Sequence, residues 1–404
     1  MSKIYSNKRF MLFLLADVVS SFAVGMGAVG FNWYVLAETN ATHYVGLFFT
    51  INVLSGFLVS PVIGYLIDRF QRKWLLFGSF LFRGLMLLAI WIVFQQDLFS
   101  ITLMVLYTIV NGIGWAAYLS ISKSFLQEIL DSDELSTGNS IIEISMQVGM
   151  LSAGALTGLL YTFSGFRSIL LFCTLGFFIS GGLIFCQKSA YPKEGQAREH
   201  ESFFSSFKSG LTYINRDRYI LLLSLLAIFP LIVTMLYNIV LPSYVTVVLA
   251  ETSVAFGLAD MFYGIGGLAS GFLVVIVVNH FKKHTFIFLF YSLAGLVLFW
   301  LALEKQTFVL YAGSLMLGIA NSGLRILMNT LLMEKVKPVY MGRVMAVYTA
   351  ISLFLQMIGS TVIGWVTDSF DASSGFILLG AVMTVGLVTY LFTIKKQQVG
   401  GSIE

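Results

Sequence analysis

The chain is short of charged residues. Only 11% of its 404 residues are Asp, Glu, Lys or Arg, whereas 58% are hydrophobic and the mean hydropathy is +0.88. A soluble domain carries about 25% charged residues. This composition therefore excludes an ordinary water-soluble domain and predicts a chain whose main solvent is lipid.

Cysteine and histidine are also scarce. Cys173 and Cys186 lie in one apolar stretch, so we expect two buried thiols and no disulfide framework. Two of the four histidines, His280 and His284, are four residues apart, but they flank a lysine pair that would repel a metal ion. We therefore predict neither a metal site nor a cofactor.

The sequence lacks the patterns of the common catalytic classes. No G-x-x-x-x-G-K-[ST] phosphate loop occurs, which excludes ATP hydrolysis on this chain. No grouping of Ser, Cys and His suggests a nucleophile. We expect no enzyme and no nucleic-acid partner.

Long apolar runs dominate what remains. A membrane-spanning helix needs about 20 apolar residues, and twelve segments qualify. The predicted spans are 10–36, 44–67, 73–94, 99–123, 138–163, 166–188, 219–249, 253–279, 284–303, 307–333, 341–367 and 374–394.

The longest polar interval divides these spans into six and six. We predict an all-α membrane protein with two pseudo-symmetric six-helix bundles, at 1–188 and 219–394, a cytoplasmic linker at 189–218 and a cytoplasmic tail at 395–404. The first apolar run is too long for a signal-peptide core and should remain as a spanning helix.

The basic residues predict the orientation. If the N-terminus is cytoplasmic, all of the 24 Lys and Arg residues except Arg83, Arg167, Lys305 and Arg325 fall on the cytoplasmic side or in the loops next to it. Such a bias is the usual signature of cytoplasmic loops. Both termini are therefore expected in the cytoplasm of a bacterial cell, with the chain in its inner membrane.

Small residues four positions apart recur in every third predicted span. They place bare backbone on one helix face and allow close, sliding contact with a neighbouring helix. The residues are Gly56, Ser60 and Gly64 in span 2, Gly154 and Gly158 in span 5, Gly267 and Gly271 in span 8, and Ser360 and Gly364 in span 11.

One charged stretch interrupts the apolar sequence. "GYLIDRFQRK" places Asp68, Arg69, Arg72 and Lys73 between spans 2 and 3, four residues after Gly64. An orientation signal would explain the cations alone. The whole pattern resembles the signature of the major facilitator superfamily, G-x-L-x-D-R-x-x-R-K, position by position.

The resemblance implies a gate at this loop. Asp68 would lie near a helix terminus of the other half, and Arg69 and Arg72 would pair with carboxylates across the cytoplasmic gap during alternating access. The matching loop of the second half, "NHFKKH", keeps lysines but lacks the Asp and the Gly.

Within the superfamily, the sequence looks most similar to the macrolide-efflux-like branch of drug:proton antiporters, which includes siderophore exporters. Two stretches carry this similarity: "GFNWYVLAETNATHYVGLFFTINVLSGFLVSPVIGYLIDR" and "MGRVMAVYTAISLFLQMIGSTVIGWVTD". Two features depart from it. Span 5 has Gly154 in place of the proline of the antiporter motif, and span 4 lacks the arginine of many multidrug antiporters.

Ionisable residues inside the spans are costly and therefore functional candidates. A proton-coupled transporter needs a carboxylate that takes up and releases a proton near neutral pH. Asp17 is the first candidate, because span 1 lines the cavity in this family, and Glu143 and Asp260 follow. The alternative is permanent pairing with Arg83 or Arg325, or hydrogen bonding between helices.

The resemblance also implies a central cavity lined by spans 1, 4, 7 and 10. Aromatic rings and amides there suit an amphipathic molecule, whereas Trp33 and Tyr34 are expected in the interfacial aromatic belt. Arg325 favours a substrate with some negative charge. The candidate substrate-binding residues are Asn32, Asn111, Trp115, Tyr118, Tyr237, Asn238, Asn321, Arg325 and Asn329.

These features predict a monomeric, proton-coupled exporter of an amphipathic small molecule, such as a siderophore or a macrolide. Two alternatives stay open at this point. One is an importer of a metal–siderophore complex or a peptide, and the other is a sensor built on a transporter fold.

Overall fold

The chain folds into long helices. The structure, a computed structural model, describes residues 2–95, 100–131, 134–187, 211–212, 218–280, 283–336 and 338–400, and these residues form helices without β-strands. Eleven of the helices are long and apolar enough to cross a membrane. The predicted linker lies almost wholly outside the described residues.

A one-turn helix, Ser2–Tyr5, precedes the first five long helices. The Asn7 side chain accepts hydrogen bonds from the backbone N–H groups of Arg9 and Phe10 and so caps the first of them. The helices are α1 (Lys8–Thr39), α2 (Thr42–Arg69), α3 (Arg72–Phe94), α4 (Ile101–Ile129) and α5 (Leu135–Phe185).

Six further helices complete the described chain. A five-residue π-helical turn, Tyr244–Val248, follows the first of them. They are α6 (Arg218–Ser243), α7 (Ser253–His280), α8 (Lys283–Leu303), α9 (Thr307–Lys335), α10 (Pro338–Ser369) and α11 (Ala372–Gly400).

Helix α5 contains both predicted spans 5 and 6. It has 51 residues, with a break at Gly165, where φ is 66° and ψ is −169°. Only glycine adopts this region readily. An unbroken helix of that length would measure roughly 75 Å, more than twice the hydrocarbon thickness of a bilayer.

The chain divides into two compact units. The first comprises residues 1–197 and 251–261, and the second comprises 198–250 and 262–404. In the first unit, α1 packs along α5, α2 packs on α4, and α3 packs on α4 and α5. In the second unit, α6 packs on α9, α10 and α11, while α8 packs on α9 and α11.

Glycines permit the closest helix contacts in both units. A Cβ atom on Gly112 of α4 would lie 2.1 Å from the Asn52 carbonyl oxygen of α2, and one on Gly318 of α9 would lie 2.0 Å from the Tyr263 carbonyl oxygen of α7. Each unit thus contains a contact in which the backbones of two helices lie directly against each other.

The small-residue prediction holds at some positions and not at others. Gly56 packs against the Gly112 carbonyl of α4, and Gly154 and Gly158 pack against residues 253–257 within the first unit. By contrast, a Cβ on Gly64 or Gly271 would have nothing within 4 Å. The spacing thus predicts a helix face without large side chains. A close contact forms only where another helix packs against that face.

Two sequence expectations are wrong. Cys173 is buried as expected, but Cys186 is exposed, because it follows the last turn of α5. Trp33 and Tyr34 are not part of an exposed belt: both are buried, with Trp33 stacked on Phe256 and Tyr34 on Phe166. Helix α11 continues to Gly400, so the first part of the predicted tail is helical.

Candidate functional site

Asp17 lies at the centre of a buried hydrogen-bond cluster in the first unit. Its side chain has no exposed surface. The Tyr118 hydroxyl on α4 donates to one carboxylate oxygen, and the Ser145 hydroxyl on α5 donates to the other. Two neutral donors therefore hold the carboxylate from opposite helices.

Close packing of α1 on α5 brings these groups together. A Cβ on Gly149, one turn after Ser145, would lie 2.9 Å from both the Ser21 Cβ and the Val18 carbonyl oxygen of α1. The missing side chain lets α5 approach α1 next to Asp17. The Ser20 hydroxyl also donates to the Asp17 backbone carbonyl, at 3.1 Å.

A pocket adjoins this cluster. Tyr118 is part of its wall, so the pocket reaches the residue that binds Asp17. Glu143 is also part of the wall and interacts electrostatically with Asp17, but it is exposed rather than buried in its helix. The lining residues are Tyr118, Leu119, Ser122, Lys123, Leu126, Asn139, Ile142, Glu143 and Met146.

Arg83 of α3 is the second buried charge of this unit. It is 2% exposed. Its Nη2 donates to the Asn111 side-chain oxygen at 3.0 Å, and its guanidinium carbon lies 4.0 Å from the centre of the Phe177 ring. These partners are neutral, so the structure does not show the predicted alternative of pairing between Arg83 and a carboxylate.

A polar network occupies the second unit. The Asn321 amide nitrogen donates to the Thr234 hydroxyl at 3.1 Å and to the Tyr263 hydroxyl at 3.3 Å. Asn238 donates to the Thr234 backbone carbonyl at 3.0 Å. Tyr237 stacks on Tyr263, with ring centres 5.2 Å apart. The network joins α6, α7 and α9.

Asn321 is fully buried, and its side-chain oxygen has no hydrogen-bond partner among the described residues. Tyr237 is also fully buried and shares a 2.7 Å hydrogen bond with Ser314. Both predicted substrate-binding residues therefore lie inside their unit in this conformation.

The remaining predicted binding residues are half-buried. Trp115 stacks on Tyr118, with ring centres 6.3 Å apart, and Arg325 lies within electrostatic range of Tyr348. Asn32, Asn329 and Asp260 are also half-buried. Asp260 lies against Gly154 within the first unit. Among the described residues, it forms no hydrogen bond with the Asp17 cluster.

The described side chains of the charged loop between α2 and α3 make contacts within their own unit. Arg72 pairs with Glu128 at the end of α4, at 3.7 Å, whereas the sequence predicted a partner in the other half of the chain. The reason is geometric: Arg72 begins α3, which packs on α4. Arg69 lies 4.5 Å above the Tyr65 ring of its own helix.

Lys73 is likewise internal. It is 6% exposed, and its ammonium group donates to the backbone carbonyl of Gln187, just after α5. A cation is favourable there, because helix carbonyls are unsatisfied at a C-terminus. The Asp68 side chain lies outside the described part, and Gly64 faces open space.

Sequence reasoning missed four residues of these clusters: Ser145, Thr234, Tyr263 and Ser314. Ser145, Thr234 and Ser314 give a weak signal, because Ser and Thr hydroxyls in a spanning helix also bond to their own helix backbone, and Tyr263 is one of 18 tyrosines in the chain. Among the described residues, no group of three or more His, Cys, Asp or Glu could hold a metal ion.

Sequence comparison gives one family and several distant relatives. Residues 13–355 and 232–402 match the Major Facilitator Superfamily. An uncharacterized MFS-type transporter, YkuC of Bacillus subtilis, is 22% identical over 97% of this chain and 94% of its own length. Macrolide efflux protein A of Streptococcus pyogenes is 20% identical over 87% of each chain.

Solved structures share the fold at low sequence identity. The nucleoside transporter NupG is 12% identical, with a TM-score of 0.73 over 96% of this chain and 99% of that one. An inward-facing bacterial homologue of the human lysosomal transporter Spinster is 13% identical, with a TM-score of 0.69 over 96% of this chain and 95% of that one.

Proposed function

Because the chain belongs to the Major Facilitator Superfamily, whose members are membrane transporters and not enzymes, we propose that it exports an amphipathic small molecule in exchange for protons. The multi-pass helical fold provides the framework for this activity. Export rather than import is supported by the relatives named as macrolide efflux proteins.

The observation that carries the proposal is the setting of Asp17. A fully buried carboxylate on a spanning helix is costly and marks a functional position. Its partners are hydroxyl groups rather than cations, so it can gain or lose a proton without breaking an ion pair. The pocket at Tyr118 supplies a route by which a proton reaches it.

The topology of the proposal has twelve spans. The break at Gly165 divides α5 into two segments, each long enough to cross the bilayer. Both termini and the loop at Arg69 and Arg72 then face the cytoplasm of a bacterial cell, and the chain acts as a monomer in the inner membrane. The distribution of basic residues supports this orientation.

The substrate proposal rests on aromatic and amide side chains. Trp115 offers an apolar ring face, and Asn111 and Asn238 offer adaptable hydrogen bonds. Tyr237 and Asn321 are buried within their unit in this conformation and would contact a substrate only in another one. This combination suits an amphipathic organic molecule more than a small ion. Arg325 would favour a substrate that carries some negative charge. Release of the loop contacts around Arg69 and Arg72 would accompany alternating access.

Asp17→Asn should abolish substrate-driven proton flux. The amide keeps the size of the side chain and can bond to Tyr118, but it cannot carry the exchanged proton. We would reconstitute the full chain in liposomes with a trapped pH dye. A proton gradient would be imposed, and a macrolide or an iron-free carboxylate siderophore would then be added.

Asp131→Asn is the matched control, since Asp131 is an exposed carboxylate outside the helices. Flux in the wild type and the control, but not in Asp17→Asn, supports proton exchange at Asp17. Equal flux in Asp17→Asn and the wild type would contradict the proposal. Substrate movement without any proton flux would favour transport by another coupling.

A further inference from the structure

A narrow pocket connects Glu143 with the Asp17 cluster. Asp17 has no exposed surface, so a proton from water cannot reach it directly. The pocket lies between α4 and α5, and its wall includes Tyr118, which binds Asp17. Glu143 is part of the same wall and interacts electrostatically with Asp17. A proton exchanged at Asp17 therefore needs a group at the surface that collects it, and Glu143 is the carboxylate in that position.

We propose that Glu143 is the proton-collecting residue of this transporter: it takes a proton from water on the cytoplasmic side and passes it to Asp17 through one water molecule in the pocket and the Tyr118 hydroxyl. The inference rests on the proposed function, in which Asp17 exchanges the proton. It gives that exchange an entry point on α5.

The size of the pocket decides what can pass through it. Its volume is about 20 Å³. A water molecule needs about 10–15 Å³, whereas pockets for organic ligands usually have about 300–1,000 Å³. The pocket therefore has room for a single water molecule and none for an amphipathic substrate.

The pocket is exposed at one end and buried at the other. Helices α4 and α5 are joined by a short connection and run in opposite directions. Asn139 and Glu143, in the first turns of α5, are exposed, whereas Met146 and Tyr118 are buried. Water thus reaches the pocket at Glu143, and the Tyr118 end leads to Asp17.

Glu143 belongs to a polar face of α5. Asn139, Glu143 and Gln147 recur every four residues, so they lie on one side of the helix, and all three are exposed. Amide and carboxylate groups on a spanning helix are costly in lipid and usually face the bundle interior or a water-filled cavity. Glu143 is thus placed where it can exchange protons with water.

No cation holds Glu143 in its charged form. Within the part of the chain that the structure describes, it forms neither a salt bridge nor a hydrogen bond, although Lys123 also lines the pocket. The other titratable groups near it are Tyr118 on α4 and Asp17 on α1. Glu143 can therefore take up and release a proton without breaking an ion pair.

The transfer leaves every atom with its normal number of bonds. Protonated Glu143 gives its proton to the pocket water, the water gives one of its protons to the Tyr118 oxygen, and Tyr118 gives its own hydroxyl proton to the Asp17 carboxylate. The hydrogen bond from Tyr118 to Asp17 is in place for the last step. The net change is an ionised Glu143 and a neutral Asp17, and the reverse sequence releases the proton.

The rate at which Asp17 becomes protonated tests this route without a known substrate. We would place the purified full chain in lipid nanodiscs and release protons from 2-nitrobenzaldehyde with a laser flash. Time-resolved infrared absorption would follow the carbonyl band of protonated Asp17, identified by its absence in Asp17→Asn.

Glu143→Gln should slow the appearance of this band about 100-fold, the lower end of what a positioned proton-transfer group contributes. The amide keeps the size of the side chain but cannot collect a proton. The final intensity of the band at low pH should stay the same, because a relay changes the rate of protonation and not its end point. Glu143 is exposed, so this variant should fold normally.

Three further variants separate proton collection from a structural effect. Glu143→Asp keeps a carboxylate and should restore most of the rate. Glu143→His should restore it up to about pH 6.5, the ordinary pKa of histidine, and lose it as the pH rises further. Asp131→Asn removes an exposed carboxylate outside the pocket and should leave the rate unchanged.

A wild-type rate in Glu143→Gln would overturn the inference and leave the proposed function intact. An equally slow rate in the Gln, Asp and His variants of Glu143 would indicate a structural role and would also overturn it. Normal protonation of Asp17, together with full transport by Asp17→Asn, would overturn the proposed function alone. An Asp17 band that forms at no pH would overturn both.

Discussion

At the residue scale, Asp17 differs from the other carboxylates of its unit in the kind of partner it has. Glu128 faces a cation, Arg72, whereas Asp17 receives hydrogen bonds from two hydroxyl groups. An ion pair fixes a carboxylate in its charged state. Hydroxyl donors stabilise it more weakly and can also accept a hydrogen bond from its protonated form.

Tyr118→Phe should slow substrate-driven proton flux, because Asp17 loses one of the two hydroxyl groups that hold its carboxylate. The ring packing is retained, but one hydrogen bond to the carboxylate is lost, a bond worth about 1.5–3 kcal/mol. The liposome assay with the trapped pH dye measures the change. Tyr65→Phe, which removes an exposed hydroxyl from α2, is the control. Equal flux in both variants would contradict the role given to Tyr118.

The sequence identifies Asp17 because it is an isolated carboxylate in an apolar run. It does not identify Ser145, since a serine in a spanning helix commonly bonds to its own backbone, and Ser145 does that as well, to Ile142 at 2.9 Å. The sequence likewise does not identify Asn111 as the hydrogen-bond partner of Arg83. Which helix face meets α4 depends on packing, and residue spacing along α3 does not contain that information.

At the scale of elements, two helix pairs rely on the absence of a side chain. Helix α2 meets α4 at Gly112, and α7 meets α9 at Gly318, with carbonyl oxygens where a Cβ would be. Such close contact gains dispersion energy and allows weak Cα–H hydrogen bonds.

Gly112→Val and Gly318→Val should each destabilise the folded protein by about 1–3 kcal/mol or more, because the backbone must move apart to make room. Thermal unfolding in detergent would show a lower midpoint for both variants. Gly64→Val is the comparison, since a Cβ there meets nothing within 4 Å. A loss in Gly64→Val as large as that in the other two would disprove the packing argument.

The sequence predicts the helices better than their contacts. Hydropathy locates the spans, because each needs about 20 apolar residues. The four-residue spacing of small residues points to α2 and α7 but omits Gly112 and Gly318, where the approach is closest. The spacing of small residues detects a face without large side chains on one helix. A close contact also requires a second helix whose backbone can approach that face.

At the scale of the whole molecule, the topology depends on one glycine. If Gly165 separates two spans, Ser164 lies at the outer surface of the membrane. Ser164→Cys, in a Cys186→Ser background, should therefore react with a membrane-impermeant maleimide in intact cells. Gln127→Cys, near the C-terminal end of α4, is expected on the cytoplasmic side and should react only after permeabilisation. Labelling of both or neither in intact cells would contradict the twelve-span topology.

The sequence predicts the whole-chain arrangement through composition and the pattern "GYLIDRFQRK", and the family match confirms the superfamily. In the structure, the described side chains of that loop make contacts within their own unit. Arg72 and Lys73 bind Glu128 and the end of α5. Charge pairing across a gap and pairing within a bundle use the same residue types, so sequence alone does not separate them.

The contact between Arg83 and Gly114 also constrains how this sequence can diverge. The arginine side chain fills the volume that a Cβ on Gly114 would need, with Cδ 2.2 Å and Nε 2.6 Å from that point. The glycine must persist in every descendant that keeps the arginine. Loss of the arginine has to come first, so substitutions at these two positions can accumulate in only one order.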